Sequence, residues 1–180
     1  RHLKLRRAQQ EPTHWGLDPD TPLGTLARQL DDTDLALFLG SGAVPAALYL
    51  AALEVEVLLI DQDLAAVEAA ENLAAAEGIA SRFQALVVSI GHWFPDAIPA
   101  LVVLDAVTMA SLETSVRVHL LETLKERTVA GGVHCILPAE SRGSIIPLAP
   151  EALQSHYGGW TIERPRRPDN RSRWFLATKP

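Results

Sequence analysis

The stretch LALFLGSGAVPAALYLA, residues 35–51, carries a short apolar run into an alanine-rich segment through the turn Gly-Ser-Gly. The run LALFL at 35–39 has the length and the uniform apolarity of a strand buried on both faces of a parallel sheet. Residues 46–53 have the composition of a helix. Gly40 and Gly42 lie in the turn between them, where glycine permits a positive φ and a close approach to the backbone. Because the N-terminus of the next helix offers free N–H groups, this order is typical of the first turn in a nucleotide-type cofactor site.

The rest of the chain continues this alternation of strands and helices. Further strands are predicted at 55–60, 83–89, 100–107 and 133–139, helices at 23–32, 64–78, 111–128 and 149–159, and a terminal hairpin of strands at 160–165 and 172–179. Such alternation predicts a parallel sheet with helices on both faces, and right-handed crossovers make it doubly wound. We expect one α/β domain over residues 1–180, with a helical or loop lead-in at 1–32 and a Rossmann-like core at 33–180.

The composition excludes several classes of protein. Hydrophobic residues make up 48% of the chain and charged residues 21%, which is typical of a soluble globular protein. No apolar run approaches the ~18–20 residues that span a bilayer, and the basic N-terminus lacks an apolar signal core, so we expect neither a membrane protein nor an exported one. The one cysteine, Cys135, fits a reducing compartment, and we expect a cytoplasmic location.

The net charge and the spacing of the histidines limit which binding partners are expected. The formal net charge of −6 argues against a general nucleic-acid binder. The six histidines show no metal-ligand spacing, so we expect no metal site. The oligomeric state is left open by the sequence.

Two acidic residues lie at the ends of predicted strands. Asp61 follows the second strand, 21 residues beyond Gly40. A carboxylate there can accept hydrogen bonds from both hydroxyls of a ribose. The alternative is that Asp61 only caps the helix predicted from residue 64. Asp105 lies near the end of the fourth strand and faces the same cleft, where it either orients substrate or cofactor or caps the turn.

The glycine turn fits one class of cofactor better than another. A dinucleotide site normally reads G-x-G-x-x-G, but the sixth position here is Pro45, and Val44 and Pro45 would crowd a pyrophosphate. A nucleoside cofactor without phosphates, such as S-adenosylmethionine, needs less room. A terminal hairpin is also unusual for a dinucleotide fold. A nicotinamide-dependent oxidoreductase is therefore disfavoured.

Residues 33–180 resemble the class I S-adenosylmethionine-dependent methyltransferases. The segment FLGSGAVPAALYLA is similar to the cofactor loop of that family, LLIDQDLAAVEAAENLAAAEGI to its second-strand acid and helix, LVVLDAVTM to its fourth strand, and LLETLKERTVAGGVHCILPA to its helix, Gly-Gly turn and fifth strand. The resemblance implies a seven-stranded sheet of order 3-2-1-4-5-7-6 that ends in an antiparallel pair. The segments ALYLA, LQSHYGGWTIERPRR and RWFLATK are similar in particular to the small tellurite-resistance-type methyltransferases.

The resemblance implies S-adenosyl-L-methionine as cofactor and a small-molecule methyl acceptor as partner, with an oxyanion as one candidate. The implied cofactor-binding residues are Gly40, Ser41, Gly42, Asp61, Gln62, Ser89, Ile90 and Asp105. A basic loop in the tellurite-resistance-type enzymes is placed to meet an oxyanion, and Arg166 and Arg167 fall there by position. These two arginines and Asp105 are the catalytic candidates. The same arginine-rich segment is alternatively a solvated hairpin tip.

Three residues depart from the family pattern. Phe38 stands where the cofactor loop usually has an acid, Val44 stands at the last glycine of the loop, and Ser89 stands near the acid or polar residue that holds the adenine amino group. The sequence therefore supports two functions. One is a methyltransferase, and the other is a catalytically degenerate methyltransferase-like protein that serves as a binding or scaffold module.

Overall fold

The computed structural model of the protein describes residues 2–139, 142–164 and 174–180. Its strands are β1 (Leu35–Leu39), β2 (Glu56–Asp61), β3 (Phe83–Val87), β4 (Leu101–Leu104), β5 (Val133–Ile136), β6 (Thr161–Glu163) and β7 (Phe175–Thr178). They form one sheet of order β3-β2-β1-β4-β5-β7-β6. The pairs among β1 to β5 are parallel, and β7 runs antiparallel to both β5 and β6. The predicted sheet order and terminal antiparallel pair are confirmed.

Helices cover both faces of this sheet. They are α1 (His2–Gln9), α2 (Leu23–Arg28), α3 (Val44–Ala52), α4 (Leu64–Ala76), α5 (Ala106–Ser111), α6 (Thr114–Arg127) and α7 (Pro150–Gln154). Short 3-10 turns lie at Pro12–Trp15, Ser41–Ala43, Ala80–Arg82 and Ser155–Tyr157. None of the described helices is long and apolar enough to cross a lipid bilayer.

The central strand β1 is buried on both faces. Ala36 and Phe38 point into one core, which packs under α2, α3 and α4. Leu37 and Leu39 point into the second core, which packs against α5 and α6. Side chains alternate between the two faces of a strand, so a strand covered on both sides reads as a continuous apolar run. The apolar stretch at 35–39 is explained by this burial.

The structure corrects the ends of two predicted strands near the site, and the strand predicted at 83–89 ends at Val87. The strand predicted at 100–107 ends at Leu104, and α5 begins at Ala106. The carboxylate of Asp105 accepts a hydrogen bond from the N–H of Val107 at 3.1 Å, which caps α5 at its first turn. An apolar run gives no sign of this change, because the first residues of α5 are as apolar as the strand before them.

The predicted ends of three later elements are also corrected. Strand β5 ends at Ile136 and not at 139. The helix predicted at 149–159 is a short α-helix that continues as a 3-10 turn. The strand predicted at 160–165 runs over Thr161–Glu163. Residues 165–173, which include much of the predicted arginine-rich hairpin tip, lie outside the described residues.

A chain of hydrogen bonds crosses the second core beside β5. The hydroxyl of Thr128 donates to the carbonyl oxygen of Leu124 at 2.6 Å, so its oxygen accepts from Nε2 of His134 at 2.8 Å. Nδ1 of His134 then accepts from the hydroxyl of Tyr157 at 2.9 Å. Both nitrogens of this fully buried ring are satisfied while the ring is neutral.

Candidate cofactor-binding site

The carboxyl ends of three parallel strands bring the predicted site residues to one edge of the sheet. Leu39, the last residue of β1, lies opposite Ile60 of β2 on one side and Leu104 of β4 on the other. The next residue along each strand is therefore at the same level. In parallel sheets this edge is where ligands bind.

Gly40 begins the loop after β1 in a conformation that few other residues adopt, with φ of 96°. Its N–H donates to the carbonyl oxygen of Ile60 at 2.9 Å. A Cβ atom at this position would overlap the hydroxyl of Thr108 and lie 2.8 Å from Cβ of Asp105. Glycine is thus required here by the packing of the loop against the start of α5, independently of any ligand.

Two departures from the family pattern, Val44 and Phe38, have a simple structural basis, and so does the proline next to Val44. Val44 has φ of −54°, which is ordinary helical geometry, so no glycine is needed there. Pro45 lies in the first turn of α3, where a missing N–H breaks no helical hydrogen bond. The ring of Phe38 is fully buried in the core under α3, away from the cleft.

The carboxylate of Asp61 ties the end of β2 to the glycine loop. Its Oδ2 accepts from the N–H of Ser41 at 2.5 Å, and its Oδ1 accepts from the N–H of Asp63 at 2.8 Å. The cap of α4 is Asp63, whose Oδ1 accepts from the N–H of Ala65 at 2.9 Å and of Ala66 at 3.4 Å. The alternative that Asp61 caps this helix is wrong. Each carboxylate oxygen keeps a second lone pair with which to accept a hydroxyl.

Asp105 caps α5 and also contacts the glycine loop. Besides capping α5, its Oδ2 accepts from the N–H of Gly42 at 3.1 Å and from the hydroxyl of Thr108 at 2.9 Å. Its side chain is only 1% exposed. The carboxylate therefore holds the glycine loop from the β4 side, as Asp61 holds it from the β2 side.

A cationic residue that the sequence reasoning missed completes this cluster. Nη2 of Arg142 lies 2.7 Å from Oδ2 of Asp105, and its Nη1 donates to the hydroxyl of Ser41 at 3.1 Å. Arg142 comes from the segment after β5, which is 37 residues beyond Asp105. The one signal that points to it is that this segment leaves a parallel strand at the ligand-binding edge.

The predicted adenine side of the site contains both exposed and buried residues. Gln62 and Ser89 are exposed, and the hydroxyl of Ser89 lies 3.4 Å from Nδ1 of His92. The side chain of Ile90 is buried in the second core, so its backbone is the part left to meet a ligand. Val87, the register partner of Asp61, is 47% exposed and presents an apolar surface that the sequence reasoning did not identify.

A small cavity of about 150 Å³ is bounded in part by Gly42. Its walls include Leu17, Asp18, Leu137 and Trp174. The two catalytic candidates Arg166 and Arg167 lie outside the described residues. Within residues 2–139, 142–164 and 174–180, no cluster of three or more His, Cys, Asp and Glu side chains is placed to hold a metal ion.

Comparisons with solved structures identify the fold. The chain is similar to TehB from Haemophilus influenzae, with a TM-score of 0.65 and 18% identity over 88% of this chain and 61% of that one. It thus spans less than two thirds of the TehB chain. It is also similar to the methyltransferase CcbJ from Streptomyces caelestis, with a TM-score of 0.68 and 15% identity over 89% of each chain.

A third similar structure is the glycopeptide N-methyltransferase MtfA in complex with S-adenosyl-L-homocysteine, with a TM-score of 0.67 and 15% identity over 87% of each chain. MtfA has also been solved with S-adenosyl-L-methionine. No protein-family model and no curated protein sequence matches the chain. The sheet order and these similarities agree with the resemblance drawn from the sequence, and the chain has the fold of the class I S-adenosylmethionine-dependent methyltransferases.

Proposed function

We propose that this protein is an S-adenosylmethionine-dependent methyltransferase that acts on a small molecule. The observation that carries the proposal is the placement of Asp61. Its carboxylate ends β2, contacts the glycine loop through Ser41, and is not the cap of the helix that follows. A carboxylate in this position of a doubly wound sheet can accept hydrogen bonds from ribose hydroxyls.

The surroundings of Asp61 suit a nucleoside. With the ribose on Asp61, the exposed Val87 at the end of β3 and Ser89 just after it lie on the side where a purine ring would rest. The 5′ substituent of the ribose then leaves on the opposite side, across the glycine loop toward β4. Ser41 and Gly42 lie along that path, and Asp105 is at its end.

The first turn of α3 suits a cofactor without phosphates. Pyrophosphates bind at helix N-termini through free N–H groups. Pro45 removes one of these donors, and its ring stands in the first turn of the helix. This supports S-adenosylmethionine over a dinucleotide.

The proposed reaction is a direct displacement. S-adenosylmethionine supplies an electrophilic methyl group on a sulfonium, which an acceptor nucleophile attacks in line while the electron pair of the broken C–S bond stays on sulfur. Any proton on the acceptor goes to solvent. The contribution of this chain is to hold the ribose through Asp61 and to shape the loop through Gly40 and Asp105.

The finer proposal is that the acceptor is an oxyanion or another small anion. The half-exposed guanidinium of Arg142 supports it, because this cation lies against the loop that the cofactor would cross. Arg166 and Arg167 remain candidates for the same role. The cavity of about 150 Å³ beside Gly42 supports a small acceptor.

The test is calorimetric titration of the protein with S-adenosylmethionine and with S-adenosylhomocysteine. We expect micromolar binding that falls about tenfold or more in Asp61→Asn and Asp61→Ala, because a charged hydrogen-bond acceptor for the ribose is lost. Asp61→Asn keeps an oxygen for the N–H of Ser41 but turns its amide nitrogen toward the N–H of Asp63, whereas Asp61→Ala removes both acceptors. Comparison of the two variants separates loss of the charge from loss of the contact that orders the loop.

The matched control is Asp63→Asn, which removes the same charge two residues away and keeps a residue that caps helices well. Binding should be unchanged in this variant. If neither ligand binds up to millimolar concentration, the enzyme is excluded and a binding module without catalysis remains. If binding is present, a methyl-acceptor screen starts with small oxyanions and thiols.

A further inference from the structure

Arg142 is positioned by a tight turn and not by chance contact of a long side chain. Its N–H donates to the carbonyl oxygen of Ile145 at 3.1 Å, and the N–H of Ile145 donates back at 3.0 Å. Gly143 has φ of 57° within this turn. Further along, the N–H of Leu148 donates to the carbonyl oxygen of Ala106 at 3.2 Å, which ties the segment to α5. The segment therefore holds the guanidinium over the end of β4.

The guanidinium covers the open side of the glycine loop. A Cβ atom on Gly42 would overlap Nη2 of Arg142, so this nitrogen lies directly against the loop backbone. Glycine allows a ligand to come close to the backbone at this point, and Arg142 already fills that space. A ligand that crosses Gly42 must therefore move the guanidinium.

The cofactor proposed above brings its own positive charge to the same place. Its 5′ arm, which bears the sulfonium, the ammonium and the carboxylate of methionine and is cationic on balance, would pass Gly42 toward Asp105. The side chain of Asp105 is 1% exposed, and removing a cation from a buried carboxylate without a replacement is costly. A cationic arm can pair with Asp105 in place of Arg142.

We propose that Arg142 is a specificity-determining residue that exchanges Asp105 for an anionic methyl acceptor when the cofactor binds. This rests on the proposed function. The guanidinium is 44% exposed in its pair with Asp105 and can turn outward without unfolding its segment. Ile145 pairs with Arg142 through the backbone, and the side chains of Ile145 and Ile146 are exposed. An acceptor that also contacts this turn would combine an anionic group with an apolar part. Cofactor binding then precedes acceptor binding.

The first experiment measures the affinities of S-adenosylmethionine, S-adenosylhomocysteine and adenosine for the wild type and for Arg142→Ala. We expect S-adenosylmethionine to bind about three- to tenfold more tightly to the variant, because no guanidinium has to leave and Asp105 lacks a cation. The gain should be smaller for S-adenosylhomocysteine, which has no sulfonium charge. Adenosine lacks the charged arm, so its affinity should not change.

The matched control is Arg82→Ala, which removes an arginine paired with Glu54 and Glu56 at the opposite end of the strands. It should alter none of the three affinities. If Arg142→Ala also changes adenosine binding, the same comparison is made with Arg142→Gln, which retains most of the side-chain volume.

The second experiment uses inorganic phosphate as the anionic probe at constant ionic strength. In the wild type, phosphate should tighten the binding of S-adenosylhomocysteine by roughly twofold or more, since the released guanidinium binds it. The effect should be absent in Arg142→Ala. Phosphate that weakens or does not alter S-adenosylhomocysteine binding in the wild type would overturn the exchange.

The outcomes distinguish this inference from the proposed function. Equal or weaker binding of S-adenosylmethionine to Arg142→Ala, with adenosine binding unchanged, overturns the inference but not the proposed function. Weaker binding would mean that Arg142 holds the carboxylate of the methionine arm. Failure of all three ligands to bind any variant overturns the proposed function and this inference with it.

Discussion

The N–H of Ser41 donates a 2.5 Å hydrogen bond to Oδ2 of Asp61, a residue 20 positions later on the neighbouring strand. This contact joins the loop after β1 to the end of β2 at the carboxyl edge of the sheet. The same loop is held from the other side by Oδ2 of Asp105, which accepts from Gly42. The loop is therefore preorganised between two carboxylates, and little ordering of its backbone is left for ligand binding.

An acid at position 38, where the methyltransferases that this chain resembles usually have one, should destabilise the protein and not improve cofactor binding. The ring of Phe38 is fully buried between β1 and α3. In Phe38→Asp a charge would be buried without a partner, at a cost of about 3 kcal/mol or more in the free energy of unfolding. Urea denaturation checks this, with Phe38→Leu as the control that keeps the site apolar. A stable Phe38→Asp variant that binds S-adenosylmethionine more tightly would contradict the placement of the ring.

Alanine substitutions at Gly40 and Gly78 separate two costs in stability, the strain of a positive φ and the steric overlap of an added Cβ atom. Both have positive φ, 96° and 73°. A Cβ atom on Gly78 would meet nothing within 4 Å, whereas one on Gly40 would overlap Thr108 and approach Asp105. We expect Gly78→Ala to cost about 1 kcal/mol of stability, from the left-handed conformation alone. Gly40→Ala should cost about 1–3 kcal/mol more, from overlap and from its less accessible conformation. Equal costs in chemical denaturation would show that the packing around Gly40 yields freely.

The stability of the protein should fall as the pH drops below about 6.5, the ordinary pKa of histidine. Burial, together with the charges of Lys125 and Lys179, lowers the pKa of His134 to about 3. Between these two values the unfolded chain binds a proton that the folded chain does not. This group therefore contributes its full stability above pH ~6.5 and loses it toward pH 3, with a slope of up to about 1.4 kcal/mol per pH unit.

The measurement is urea denaturation of the wild type and of His134→Leu over this pH range. The variant should be less stable at pH 7, because Tyr157 and Thr128 lose their partner, yet its stability should depend less on pH. Parallel pH curves for the two proteins would assign the acid sensitivity to other groups.

The thiol of Cys135 should react only after the protein opens. The side chain is fully buried, and burial raises the pKa of this thiol, so it is held in the unreactive protonated form. Disulfide-exchange reagents at neutral pH should label it slowly in native protein and rapidly in urea. Fast labelling in native conditions would mean that β5 separates from its neighbours often.

The strands and the acidic position were predictable because they depend on local patterns. The run at 35–39 matches β1 residue for residue, since burial on both faces leaves only apolar side chains. The place of Asp61 at the end of β2 was predictable because the acid directly follows an apolar run. The start of α5 was missed because Ala106 and Val107 continue the apolar character of β4.

Arg142 and the burial of Phe38 were not readable from the sequence for a different reason. The position of Arg142 depends on where a loop returns in space, 101 residues after Ser41. Phe38 lies on a strand whose two faces are both apolar, so the pattern does not say which side chain faces the cleft and which faces α3. Both facts require the packed structure.

The close approach of Gly40 to Thr108 and Asp105 affects what a glycine at this position means in related sequences. Contacts inside the protein require this glycine. A relative that had lost cofactor binding would therefore still need glycine at this position. The presence of this glycine in a related sequence would therefore indicate that the fold is intact. It would not indicate that the relative is an active enzyme.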